Sequence, residues 1–221
     1  HSLCGNTALG AQHFTQTRCL FPDQLVHLGV VDRRRNVVCR GRQIADWLKN
    51  RPAEILPCTY FHVIATVPSE LRSLFLRHQK TLYGLLMKTA TESVRDLAAQ
   101  KRFVGAEVGI LAVLHTWTGQ LHHHPHVHML VTGGGVTADG TAWHEAPKDF
   151  LVPVRKLSRM IAKRFAAALQ KGHPELFEQI PHKVWRREWC SYCKPYGKGQ
   201  DAVLNYLARY VFRVALTNRR L

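Results

Sequence analysis

The chain has 221 residues, is 46% hydrophobic and carries 31 Lys plus Arg against 15 Asp plus Glu, a formal charge of +16. That size and apolar content can close one good core with a small appendage, and the charge is the electrostatic footprint of a nucleic-acid binder. There is no apolar run of bilayer length, no isolated basic amphipathic helix and no signal-peptide pattern, so a membrane partner is excluded and the expected location is the cytoplasm, at the nucleoid.

The first 50 residues hold only Cys4, Cys19 and Cys39, with no close pair. Structural zinc normally takes four ligands in close-spaced pairs, and His13 and His27 do not complete such a set, so zinc is not expected. The cluster Arg33-Arg34-Arg35 reads equally as a solvated charge run or as a phosphate contact. Residues 1–45 are expected to be poorly packed, and 46–221 to form the main domain.

Cys58 to Val67 is an apolar, β-rich run and predicts a core strand. Pro68-Ser69-Glu70 opens a helix, and Leu71, Leu74, Phe75, Leu82, Leu85, Leu86 and Val94 keep helical period toward Ala99. Ala106 to Trp117 predicts a second strand. His122 to His124 read as loop, because a regular central strand starts at or after Pro125, and the strand that follows runs to about Thr132, where Gly133-Gly134-Gly135 breaks it. Trp143 and Phe150-Leu151-Val152-Pro153 suggest a short strand pair, Lys156 to Gln170 a helix, Lys183 to Tyr192 an extended segment, and Asp201 to Arg213 a final helix. Strands mixed with helices, the two around the histidines plausibly adjacent and antiparallel, give an α+β fold.

Five of the fourteen histidines fall within His122-His123-His124-Pro125-His126-Val127-His128. The run is internal and leads into apolar sequence, so it is not a tag. On a strand, His126 and His128 share a face while Val127 points into the core, and two imidazoles side by side on a rigid strand can grip one divalent cation. His115, eleven residues before His126, returns beside the pair if the two strands are neighbours. Gln120 and His62 are the alternative third ligands.

Tyr206 and Tyr210 are four residues apart on the last helix and so share one face. An isolated pair would be read as core-edge tyrosines. Beside a histidine pair, a phenol can attack a phosphodiester whose charge a metal stabilises, and two phenols allow two successive transesterifications. Cys190-Ser191-Tyr192-Cys193 has CxxC spacing, but no second pair or nearby histidine completes a zinc set. A strand there would put the two thiols on opposite faces.

In order, Tyr60-Phe61-His62-Val63, Val67-Pro68, Leu114-His115-Thr116-Trp117, His123 to His128, Gly133-Gly134-Gly135-Val136, Val154-Arg155-Lys156-Leu157-Ser158 and Tyr206-Leu207-Ala208-Arg209-Tyr210 resemble the two-tyrosine HUH transposases of the insertion sequence 91 family. The resemblance covers roughly residues 40 to 221. It implies an antiparallel sheet, ferredoxin-like or related, with helices packed on one face. It implies Mg2+ or Mn2+ at His126, His128 and His115, since relaxases of the wider superfamily use three histidines. It implies nicking and joining of single-stranded DNA at element ends, with Tyr206 or Tyr210 forming a 5′-phosphotyrosine and freeing a 3′-hydroxyl. Members usually carry a cysteine-rich zinc module at the N-terminus, of which residues 1–45 look like a degenerate remnant. Members also usually continue further, so the chain reads as a C-terminally truncated fragment.

Three DNA-binding residues complete the expected site. Lys194 would meet charge on the phosphate or leaving group, Arg209 the DNA backbone, and Trp117, read first as a core-packing residue, an unpaired base. The alternatives in function are a relaxase or rolling-circle replication initiator, a catalytically inactive DNA-binding remnant, and a metal-dependent hydrolase that does not use the tyrosines. The oligomeric state is not legible.

Overall fold

The computed structural model describes residues 55–118, 120 and 122–206. The expectations for residues 1–45, Arg209 and Tyr210 lie outside the described residues.

The strands are β1 (Thr59–Thr66), β2 (Glu107–Trp117), β3 (His123–Val136), β4 (Trp143–Glu145) and β5 (Cys190–Lys198). They form one sheet in the order β2-β3-β1-β5, with β4 pairing β3. All pairs are antiparallel. A 3-10 turn (Ser69–Leu71) precedes α1 (Arg72–Arg77) and α2 (Gln79–Ala98), and α3 (Val154–Gly172), α4 (Pro174–Phe177), α5 (His182–Arg186) and α6 (Gly199–Tyr206) follow. The fold is the α+β antiparallel arrangement expected. No helix among the described residues is long and apolar enough to cross a membrane.

Strand alternation divides the sheet into two unlike faces. Phe61, Val63 and Ala65 of β1 and Val127, Met129 and Val131 of β3 join the main core. There they meet Leu82, Leu86, Ala90, Val94 and Leu97 of α2 and Leu157, Ile161, Phe165 and Leu169 of α3, the inward stripes of helices at period 3.6. The alternate residues Tyr60, Leu130 and Val113 form a smaller cluster with Ala202, Val203 and Tyr206. The two long helices therefore cover one face, while α6 lies on the other.

Five local expectations are corrected. The helix expected from Ser69 to Ala99 is broken at His78 (φ −122°, ψ 47°), because helical period would turn the polar stretch Arg77 to Lys80 inward between the buried Phe75 and Leu82. β3 begins at His123 rather than after Pro125. The proline is tolerated because β1 pairs β3 no further than His126 and the β2 register shifts between His115 and Trp117, so no ladder bond is asked of it. The glycines do not end β3. A Cβ at Gly133 would stand 2.6 Å from the Thr59 carbonyl oxygen, and one at Gly134 2.7 Å from that of His144, so glycine lets β4 take over where β1 ends. Leu151 and Val152 are buried in an irregular segment rather than a strand, and residues 182–186 are helical, with Trp185 stacked on Phe177 and Trp189.

Candidate metal centre

β3 delivers His126 and His128 to the face opposite the main core. β2 runs antiparallel beside it and sets His115 directly across from His126, with Val113 across from His128. One ligand atom from each of His115, His126 and His128 lies within 4.8 Å of the others. Ring centroids are 5.5 Å apart for His115 and His126, 4.6 Å for His115 and His128, and 4.9 Å for His126 and His128. The structure thus brings together the expected three histidines. Gln120 is exposed in the β2–β3 loop and outside the cluster. His62, on β1, stands beside His128 rather than within the three-histidine cluster: its Nε2 is 2.8 Å from His128 Nδ1.

The hydrogen bonding prepares these rings for a cation. His126 Nδ1 is 2.6 Å from the His124 carbonyl oxygen. A carbonyl only accepts, so Nδ1 carries the proton and Nε2 keeps its lone pair. Burial pushes the pKa of His126 down, and pushes that of His128 down to about 2, with His115, His126 and His62 adding to the effect. Both rings are neutral near pH 7, the state a ligand needs. The cluster contains no carboxylate. Three imidazole nitrogen donors, half-buried at His115 and His126, fit a divalent ion that keeps open positions for phosphate oxygens and water.

Tyr206 ends the described part of α6. It is fully buried, its hydroxyl donates to the Leu111 carbonyl oxygen at 3.3 Å, and its ring meets His62 edge-on at 6.0 Å. Leu111 precedes His115 by four residues on β2, about 13 Å along a strand. The chain enters α6 at the end of the sheet remote from the histidines, where Gly199 N–H donates to Cys58 O, and it runs back toward them.

Lys194 is exposed directly across from His62, its Nζ 5.6 Å from the centre of the Tyr192 ring. Trp117 is 46% exposed, which removes the core-packing alternative. It meets His123 edge-on at 5.7 Å. Cys190 and Cys193 occupy opposite faces of β5, the first exposed and the second buried enough to raise its thiol to about 11.

Sequence reasoning missed Arg72. Its Nε donates to His124 Nδ1 at 2.7 Å, and it has no carboxylate partner among the described residues. His124 is 6.0 Å from His126, ring to ring, so a guanidinium stands at the rim of the cluster. Nothing in the spacing links Arg72 to a histidine 52 residues on. Only an arginine in α1 at the exit of β1 hinted at it.

The Y2_Tnp family model, described as putative transposase, matches residues 109–221, which include His115, His126, His128, Tyr206 and Tyr210. The chain is 39% identical over 199 residues to the putative transposase y4qJ of Sinorhizobium fredii (strain NBRC 101917 / NGR234), covering 83% of this chain and 50% of that protein. It is 25% identical over 239 residues to the transposase for insertion sequence element IS801 of Pseudomonas savastanoi pv. phaseolicola, covering 99% of this chain and 55% of that protein. The chain spans about half the length of the curated relatives it matches. No solved structure matches it.

Proposed function

The chain belongs to the Y2_Tnp family of putative transposases, and we propose that it nicks and joins single-stranded DNA at element ends by transesterification onto tyrosine. The observation that carries this reading is the three-histidine cluster on β2 and β3, with the ring of Tyr206 packed edge-on against the neighbouring His62. His115, His126 and His128 would hold Mg2+ or Mn2+, which supplies Lewis-acid polarisation of the scissile phosphate.

The chain's own groups do the rest. The phenolic oxygen of Tyr206 or Tyr210 forms the new P–O bond, the P–O3′ bond breaks, and the phenol's proton reaches the departing 3′-oxygen through solvent. The product is a 5′-phosphotyrosine and a 3′-hydroxyl, and the second phenol or that hydroxyl completes strand transfer by the same exchange. No phosphoester bond is lost overall. Lys194 and Arg72 contact phosphate oxygens, Arg209 contacts the backbone, and Trp117 stacks on an unpaired base.

A nicking assay tests this reading: a labelled single strand carrying the element's end, incubated with Mn2+, is cut by the parent chain and left intact by His126→Ala and His128→Ala. A second reading, metal-dependent hydrolysis by water, is favoured by one observation, the burial of Tyr206 with its hydroxyl on Leu111. A free 5′-phosphate in place of a protein-bound one would establish it.

A further inference from the structure

His62 is 6% exposed in the middle of β1, on the face that carries the histidine cluster. A buried imidazole is costly unless its nitrogens are bonded. Here Nε2 lies 2.8 Å from His128 Nδ1, with the two ring planes within 9° of each other. Three tyrosines surround the ring edge-on, Tyr192 at 5.9 Å, Tyr196 at 5.5 Å and Tyr206 at 6.0 Å. That aromatic collar, with β3 and β5 pairing β1 on either side, restricts how the ring can turn.

One proton lies between His62 Nε2 and His128 Nδ1, and its position decides the chemistry of His128. If His62 donates, neutral His128 carries its own proton on Nε2 and offers no lone pair to a cation. If His128 donates from Nδ1, its Nε2 is bare and His62 carries its proton on Nδ1. A metal centre requires the second arrangement. His126 reaches the same state through the His124 carbonyl, which cannot donate. For His128 the acceptor is a second imidazole, which has both options.

We propose that His62 is a positioning residue of the metal centre: it accepts the Nδ1–H of His128, fixes that ring's Nε2 toward the cation, and ties the centre to the aromatic wall containing Tyr206. The proposal rests on the three-histidine reading of the centre. It assigns His62 a role distinct from ligation, because its Nε2 is already engaged with a ligand.

The test uses the full chain, with Mn2+ as probe, followed by calorimetric titration and by the Mn2+ paramagnetic resonance signal. His62→Leu removes the acceptor, whereas the Oε1 of His62→Gln can replace it. Mn2+ affinity should fall roughly 10–100-fold in His62→Leu, as for loss of an orienting partner of a metal ligand, and recover most of that loss in His62→Gln. The apo thermal midpoints of the two variants serve as the folding control. Nitrogen-15 spectra of the parent's imidazoles should show His128 protonated at Nδ1, a readout that needs no variant to fold. Unchanged affinity in His62→Leu, or His128 protonated at Nε2 in the parent, overturns the role given to His62. A parent whose Mn2+ binding is insensitive to His126→Ala overturns the metal centre itself, and the His62 proposal with it.

Discussion

His115 faces His126 directly across the β2–β3 ladder, so a residue eleven positions upstream in the chain becomes a neighbour in space. Rigid antiparallel pairing, rather than a flexible loop, sets the opening between the three rings. Replacing His115, His126 or His128 by Ala should each lower Mn2+ affinity by on the order of 100-fold or more, beyond what loss of an orienting partner costs. His122→Ala, in the exposed loop, should leave it unchanged. Titration calorimetry on the four variants checks this.

Stability should depend on pH through the same rings. Burial holds His126 and His128 neutral in the folded chain, the latter down to about 2, whereas in the unfolded chain both titrate near ~6.5. Below that pH the unfolded state takes up protons that the folded state refuses. Stability is therefore full above ~6.5 and falls as the pH drops toward 4, by at most about 1.4 kcal/mol per unit for each refused proton. Urea midpoints measured between pH 7.5 and 4.5 should fall, and more gently in His128→Asn.

Tyr206→Phe removes the bond to the Leu111 carbonyl and should cost about 1 kcal/mol of stability. Because that hydroxyl is bonded to the Leu111 carbonyl, four residues from His115 along β2, the first attack is expected from Tyr210. Tyr206→Phe should keep single-adduct formation and lose complete strand transfer, and Tyr210→Phe should lose the first adduct. Single-turnover gels with each variant decide the order.

Arg72 and Trp117 offer a guanidinium and an exposed indole at the rim of the cluster. Arg72→Gln should weaken single-strand binding and lower its salt dependence by about one counterion, with Mn2+ affinity unaffected. Trp117→Ala should cost roughly 1–3 kcal/mol of strand affinity. Fluorescence anisotropy across a salt series separates the two contributions.

Much of this site was legible in the sequence because strands have period two. His126, Val127 and His128 declare a two-faced strand, and the neighbouring apolar run carrying His115 makes an antiparallel partner the economical choice. The glycine run misled, since its local meaning is a break while its real cause is the close approach of Thr59 and His144. The apolar run at Leu151 and Val152 misled likewise, because burial and strand pairing leave the same mark in a short segment. His62 stands in the sequence as an alternative third ligand. That it stands beside His128 instead follows from β1 pairing β3, which sets His62 opposite Leu130 and within reach of His128. Arg72 depends on the exit path of β1, which no local pattern encodes.

Covalent trapping decides whether the phenols attack DNA: labelled single-stranded DNA carrying the element's end is incubated with the chain and Mn2+, then resolved on a denaturing gel. The expected result is a metal-dependent protein–DNA adduct that disappears in His126→Ala and in the Tyr206→Phe/Tyr210→Phe double variant. A folded chain that binds the strand and Mn2+ but forms no adduct, or an adduct that survives loss of both phenols, contradicts it.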